Sequence, residues 1–299
     1  MDRLTESRWA VLMTQLTQSR QAQPTTTDPI LVLGGTGKTG KRIVARLRTA
    51  GRDVRPASRR STPQFDWDEP STWSGVLAGV STVYLALPLT PAPVAEFVEH
   101  AVASGVRRLV ALSGRGADQW QDGFGQEMLD LERAVRSSGV QWTILRSSNF
   151  AQNFSEDVFY GLVMAGELAL PVGSIPEPFI DVEDVVDVAV RTLTSDDWVD
   201  QILELTGPEA LTWDEAVATI AGAARREVRF TDLPPQEYRV LLQSQGIPAA
   251  DAHALETMFT EIRRGLLTEP TDGVLQVLGR QPRTFADYAA AAAAAGAWD

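Results

Sequence analysis

The chain contains no cysteine. Disulfides, thiolate nucleophiles and cysteine-ligated metals are thereby excluded. Histidine is almost as scarce: His100 and His253 are the whole supply, too few for a histidine-rich metal site. Lysine and arginine together number 27, yet Lys38 and Lys41 are the only lysines, so no catalytic lysine can stand elsewhere. Positive charge is in deficit, and the formal net charge is −12. That argues against nucleic acid as a partner, because phosphate binding needs a basic face; solubility accounts for the charge more simply. No apolar run is long enough to cross a bilayer, and residues 1–28 lack the apolar segment of a signal peptide. The missing disulfides suit a cytoplasmic protein, which is the predicted location.

What is present is ordinary globular material. The 299 residues are 44% hydrophobic and 22% charged, enough for one large domain or two intimately joined ones. Residues 1–28 read as an extension: Leu4 to Leu16 predict an amphipathic helix around Trp9, Leu12, Met13 and Leu16, and "QAQPTTTDP" predicts a linker. An oligomer contact, a contact with a protein partner and disorder all remain open for that helix.

From Ile30 onward, strand-like and helix-like stretches alternate. Strands are expected at "ILVLGG", "DVRPAS", 81–88, 107–114 and 141–147. Helices are expected at 40–51, 69–80, 91–106, 125–140 and 182–195, the last capped by Asp181. Regular alternation predicts an α/β fold with a doubly wound parallel sheet of Rossmann type over residues 29–200. Residues 201–299 are expected to form a smaller, mainly helical domain closing over the carboxyl edge of the sheet. It would begin with one strand and a helix capped near Thr212, continue with a strand and a break at "EVRFTDLPP", and end in helices at 235–246 and 249–265.

The stretch "LVLGGTGKTG", 31–40, carries the first functional signal. A triphosphate loop needs Gly-x-x-x-x-Gly-Lys-[Ser/Thr]. Five residues before Gly37 stands Val32, inside the strand, so the loop is too short to wrap phosphates. Gly34-x-x-Gly37-x-x-Gly40 fits a dinucleotide loop better. Gly34 permits the tight turn, Gly37 the approach of a pyrophosphate, and Gly40 close helix–strand packing. The helix that follows offers unpaired N–H donors. At the end of the second strand, an NAD-selective loop carries an acid for the ribose hydroxyl. Here Ser58, Arg59 and Arg60 hold that place. Arginine can grip a 2′-phosphate with two parallel bonds, so the position favours NADP(H) over two solvated loop arginines. Asp66 is a candidate for the adenine amino group; Trp67 either packs nearby or belongs to the core.

The glycine spacing, with "WTILRSSNFAQNF" (142–154), "FIDVEDVVDVAV" (179–190) and "LTGPEALTWDEAV" (205–217), resembles the NmrA-like branch of the atypical short-chain dehydrogenases. "GGTGKTGKRIVARL" and "FDWDEPSTW" are similar to bacterial relatives of the ergot-alkaloid (agroclavine and festuclavine) dehydrogenases. The resemblance covers about residues 30 to 290. It implies a domain binding NADP(H), with Thr36, Lys38 and Thr39 lining the phosphates and Leu87 and Pro88 edging the adenosine. It further implies that Ser113 and Gly114 stand near the nicotinamide, and that Asn149 and Phe150 form its wall.

One departure stands out. Ordinary short-chain dehydrogenases use Tyr-x-x-x-Lys, and Tyr84, Tyr160, Tyr238 and Tyr288 are followed four residues on by Pro88, Met164, Leu242 and Ala292. The usual carbonyl mechanism is therefore unavailable. Ser113 remains as the catalytic candidate, or as a serine that satisfies nearby backbone. A pre-activated acceptor needs less help: an iminium ion needs no proton, and quinones or activated double bonds can take one from water. Glu127, Asp130 or Asp118 are candidates to stabilise a cationic substrate, each against a reading as solvated surface. Phe124, Phe150, Phe154 and Phe179 are candidates for an apolar wall, against a reading as core. Three functions stay open: an NADPH-dependent reductase of a small molecule, an NADP(H)-sensing regulator that signals through a protein partner, and a redox-neutral isomerase or lyase.

Overall fold

The computed structural model describes residues 28–88, 90–120 and 125–299. The helix expected at 4–16 and the candidate Phe124 lie outside the described residues.

Six parallel strands form the central sheet in the order β2-β1-β3-β4-β5-β7: β1 (Ile30–Leu33), β2 (Val54–Ala57), β3 (Thr82–Leu85), β4 (Arg108–Gly114), β5 (Gln141–Ser147) and β7 (Gln201–Leu205). Alternate residues of each strand serve opposite faces, as the pleat requires. Leu31, Leu33, Val83, Leu85, Leu109, Ala111 and Ile144 face one core. Ile30, Val32, Tyr84, Val110 and Leu145 face the other. Both faces are covered, as purely parallel sheets demand. On the first face lie α2 (Trp73–Leu77), α3 (Val94–Ala103) and α4 (Gln126–Arg136); on the second lie α1 (Lys38–Thr49), α7 (Val182–Thr194) and α11 (Gly273–Leu278). The helix expected over 69–80 divides into a 3₁₀ turn at Pro70–Thr72 and the short α2. Asp181 caps α7 as expected, accepting from the Glu183 N–H.

The chain leaves β1 for the edge strand β2 and returns to β3 on the far side of β1. That reversal is a topological switch point, and its carboxyl edge is where such sheets bind ligands. The glycine loop between β1 and α1 stands there.

A second core gathers Phe154, Phe159, Phe179, Trp213, Phe259 and Phe285. Their rings meet mostly edge-on or tilted, and Trp213 stands 5.1 Å from both Phe159 and Phe179. Around this cluster lie α5 (Asn153–Glu156), α6 (Tyr160–Ala165), α8 (Trp213–Ala224), α9 (Pro235–Ser244), α10 (Ala249–Arg263) and α12 (Phe285–Ala294). A parallel ribbon of β6 (Glu167–Leu170) and β8 (Arg229–Asp232) completes it.

The division expected at residue 200 does not coincide with these cores. β7 starts at Gln201 and pairs with β5 as the sixth strand of the main sheet. Residues 151–172 join the second core well before that point, and α11 returns to the first lobe. The two lobes are interleaved because each β6–β8 partner comes from a different side of β7. Among the described residues no helix is long and apolar enough to cross a membrane.

Candidate functional site

The glycine loop is built by steric necessity. A Cβ on Gly40 would lie 2.1 Å from the Gly34 carbonyl oxygen, and one on Gly35 would lie 2.7 Å from the Pro56 Cβ. Both contacts are shorter than any real Cβ contact, so α1 can approach β1, and the loop can pass β2, only with glycine there. Gly34 itself has φ +65°, and its carbonyl accepts from the Gly37 N–H at 2.8 Å. Gly35 is the member of the set that the motif spacing did not single out. Gly37 is the N-cap of α1 and contributes no side-chain cap, and no acid stands in the first turn. The first-turn N–H groups are thus left for an anion.

Thr36 and Gly37 are exposed on this loop, while Thr39 is buried and accepts from the Tyr84 hydroxyl at 3.1 Å. Thr39 was expected at the phosphates; its hydroxyl is instead turned into the second-face core. Lys38 spans from the loop to the segment after β5. Its ammonium donates to Asn153 Oδ1, stands 2.9 Å from Asp157 Oδ2, and lies 5.6 Å from the centre of the Phe150 ring. Asn153 in turn donates to Asn149 Oδ1 at 2.9 Å. Lys38, Asn153, Asn149 and Phe150 therefore meet beside the glycine loop.

At the end of β2, Arg59 and Arg60 are exposed. Ser58 shapes their turn: its N–H donates to Ser61 Oγ at 2.9 Å, and its Oγ accepts from the Arg60 N–H at 3.3 Å. Arg59 and Arg60 side chains take part in none of the hydrogen bonds or ion pairs among the described residues. The Asp66 carboxylate accepts from the Asp68 N–H at 3.2 Å, and the Asp66 carbonyl accepts from the Trp73 indole at 2.9 Å. Trp67 packs edge-on against Phe65 and Phe97, each at 5.1 Å, so it belongs to the first-face core. Leu87 packs against the same core and, with Gln126, Glu127 and Asp130, lines a cleft of about 170 Å³ between the β3 loop and α4. Pro88 follows it, half-buried.

Ser113 does not open onto a cleft. It is 4% exposed, and its hydroxyl donates to Glu132 Oε1 at 2.7 Å. Glu132, itself buried, holds Arg146 through two further bonds of 2.9 and 2.8 Å. Those bonds hold the Arg146 guanidinium above its ordinary value. Helix α4, where a tyrosine–lysine pair would sit, thus lodges one half of a buried ion pair, and the serine serves it. Gly114 is also covered: a Cβ there would meet Met128 Sδ at 2.5 Å and the Trp120 ring at 2.8 Å.

The acids proposed for a cationic substrate disperse. Asp118 pairs with Arg146 at 2.9 Å. Asp130 pairs with Arg133, whose hydrogen bond holds the carboxyl below its usual range. Glu127 stays exposed at the cleft near Leu87. Phe154 and Phe179 are buried in the second core.

A residue outside the sequence expectations stands at the junction instead. Glu177 precedes the "FIDVED" stretch between Pro176 and Pro178, and it keeps only a partly exposed edge. Burial pushes its carboxyl up to about 7, outweighing the Asn149 amide, the Trp213 indole and the positive charge of Arg115. An acid between two prolines in an otherwise apolar stretch was the available signal.

The chain matches a family model described as NAD(P)H-binding over residues 34–196. The NAD(P)H azoreductase of Xenophilus azovorans is 31% identical over 89% of this chain and 98% of its own length. The agroclavine dehydrogenase of Claviceps fusiformis is 30% identical over 87% of this chain and 95% of its own. The NADPH-dependent quinone oxidoreductase QOR2 of Escherichia coli, solved with NADPH, superposes with a TM-score of 0.77 at 19% identity, covering 88% and 99% of the two chains; that likeness shows the fold. The uncapped α1 start and the glycine cradle suit the cofactor such a family holds. The chain belongs to this NAD(P)H-binding family.

Proposed function

We propose that the chain is an NADPH-dependent reductase that passes hydride to a small, pre-activated acceptor: an iminium ion, a quinone or an activated double bond. One observation carries this reading. The uncapped first turn of α1 and two arginines without partners among the described residues, Arg59 and Arg60, stand at the carboxyl ends of the neighbouring strands β1 and β2, the first for a diphosphate and the second for a 2′-phosphate. The names of the azoreductase and agroclavine dehydrogenase relatives support reduction. When bound, the cofactor supplies the hydride. The chain's own residues bind, orient and shield. Gly34 to Gly40 seat the diphosphate, Lys38 balances its charge from the side of Asn153, and Phe150 with Asn149 closes the far wall. The absent tyrosine–lysine pair favours an acceptor that is already electrophilic over a simple ketone.

Mixing the protein with NADPH and a panel of iminium compounds, quinones and azo compounds tests this directly. Loss of reduced-cofactor absorbance that depends on acceptor and protein supports the reductase. Tight NADPH binding with no consumption across the panel favours the sensing regulator instead.

A further inference from the structure

Lys38, Asn153 and Asn149 form a chain of hydrogen bonds whose polarity is fixed by chemistry. The Lys38 ammonium can only donate, so the Asn153 atom that meets it is Oδ1. The Asn153 amide nitrogen then faces Asn149 and donates to its Oδ1 at 2.9 Å. That leaves the N–H₂ of Asn149 as the outer end of the chain. The Asn149 backbone is pinned: its carbonyl accepts from the Ile180 N–H at 2.9 Å, and the Ala151 N–H donates to the Ile180 carbonyl at 2.8 Å. Only the carboxamide can turn over, and Asn153 decides which of its ends points outward. One of its two hydrogens is directed toward Glu177; the second is left for a ligand.

The chain of bonds follows the path of a dinucleotide. Arg59 and Arg60 follow the edge strand β2, and the glycine loop follows β1. A cofactor with its 2′-phosphate at β2 and its diphosphate at β1 runs its other half across the ends of β3 and β4 toward β5. Lys38 spans the same interval, from the start of α1 to Asn153 beyond β5, with two strands lying between. Asn149, Phe150 and Asn153 are each only half-buried, so a ligand at the carboxyl edge of the sheet can reach them.

We propose that Asn153 is a positioning residue: it holds the Asn149 carboxamide with its N–H₂ outward, as the donor to the carboxamide oxygen of the nicotinamide ring. This rests on the NADPH reading above. One amide thereby serves both ends of the cofactor, steadying Lys38 beside the diphosphate and orienting Asn149 beside the ring. Aspartate at position 153 reverses the chain. A carboxylate only accepts, so Lys38 still pairs with it, but Asn149 Oδ1 would then face another oxygen. The Asn149 carboxamide turns over, gives its N–H₂ to the carboxylate and presents Oδ1 outward. A nicotinamide ring can answer by turning its own carboxamide; a ring that carries an acetyl group instead has no hydrogen to offer.

The test measures, by calorimetry, the affinities for NADP⁺ and for its 3-acetylpyridine analogue. Both carry the same phosphates and the same pyridinium charge, so the charge added by Asn153→Asp cancels in the ratio of affinities. The wild type is expected to bind the two alike to within a few-fold. Asn153→Asp loses roughly tenfold more affinity for the acetyl analogue than for NADP⁺, because two oxygens are left facing each other. Asn153→Ala, which removes the polarity without adding a charge, moves the ratio less but in the same sense, and stands in where the aspartate variant does not fold. In an Asn149→Ala background neither change at position 153 moves the ratio, which a merely structural role of Asn153 would not produce. A ratio that the folded variants leave unchanged, or a shift that survives loss of the Asn149 side chain, overturns the proposal. A folded wild type that gives no heat with either dinucleotide overturns the NADPH reading as well.

Discussion

Arg59 and Arg60 extend from the end of β2 with no side-chain partner to lose among the described residues. Their joint replacement by alanine should therefore leave folding alone and act on the ligand. Charge-assisted hydrogen bonds are worth about 1.5–3 kcal/mol, so NADPH should bind roughly 10- to 100-fold more weakly while NADH changes little. Calorimetry with both cofactors reads the difference, and equal weakening would take the 2′-phosphate away from these arginines. Gly40→Ala acts by shape: the new Cβ would meet a backbone oxygen that cannot swing aside. Cofactor affinity should be lost, with a lower melting temperature. Glu177 gives a pH signature of stability. Its folded value lies above that of an ordinary glutamate, so its contribution is fully present below about 4.3 and is lost as pH rises through about 7. Wild-type melting temperature should fall relative to Glu177→Gln over that window. At this scale the glycines and arginines were legible, because motif spacing fixes where a loop carries them. Glu177 and Trp213 were not, because residues 36 apart in sequence are joined only by the fold.

Helix α4 illustrates the middle scale. Its amphipathic pattern was legible, and so was the missing tyrosine–lysine pair. The replacement was not: Glu132 reads as one more helical charge until Arg146 on β5 is seen to reach it. Breaking a buried ion pair from one side costs about 3–5 kcal/mol. Glu132→Ala should fall near the lower end, since Asp118 and Glu204 still face Arg146; denaturant unfolding measures it. Helix α8 shows the opposite case. The Thr212–Glu215 capping box is local and was visible in "LTWDEA". Thr212→Ala should cost about 1 kcal/mol and leave cofactor affinity intact. The strand β8 was legible in "EVRFTDLPP", whereas β6 escaped notice because it has four residues and its pairing with β8 spans Glu167 to Arg229. Such short segments carry no period of their own.

For the molecule as a whole, the doubly wound sheet followed from the alternation of strands and helices, whereas the boundary between lobes did not. Composition changes after residue 200, but β7 still completes the main sheet and α11 comes back to it. A fragment ending at residue 200 would lack β7 and leave β6 without β8. It should give no cooperative melt by circular dichroism, and a sharp two-state transition from it would contradict the interleaving. The same interleaving limits motion. Peptide chain crosses from one core to the other near residues 151, 180 and 207, and again on either side of α11. Lobes stitched at so many seams cannot swing like a door on one hinge. They are expected to rock through a small angle at most, and to open to solvent as one body rather than in turn.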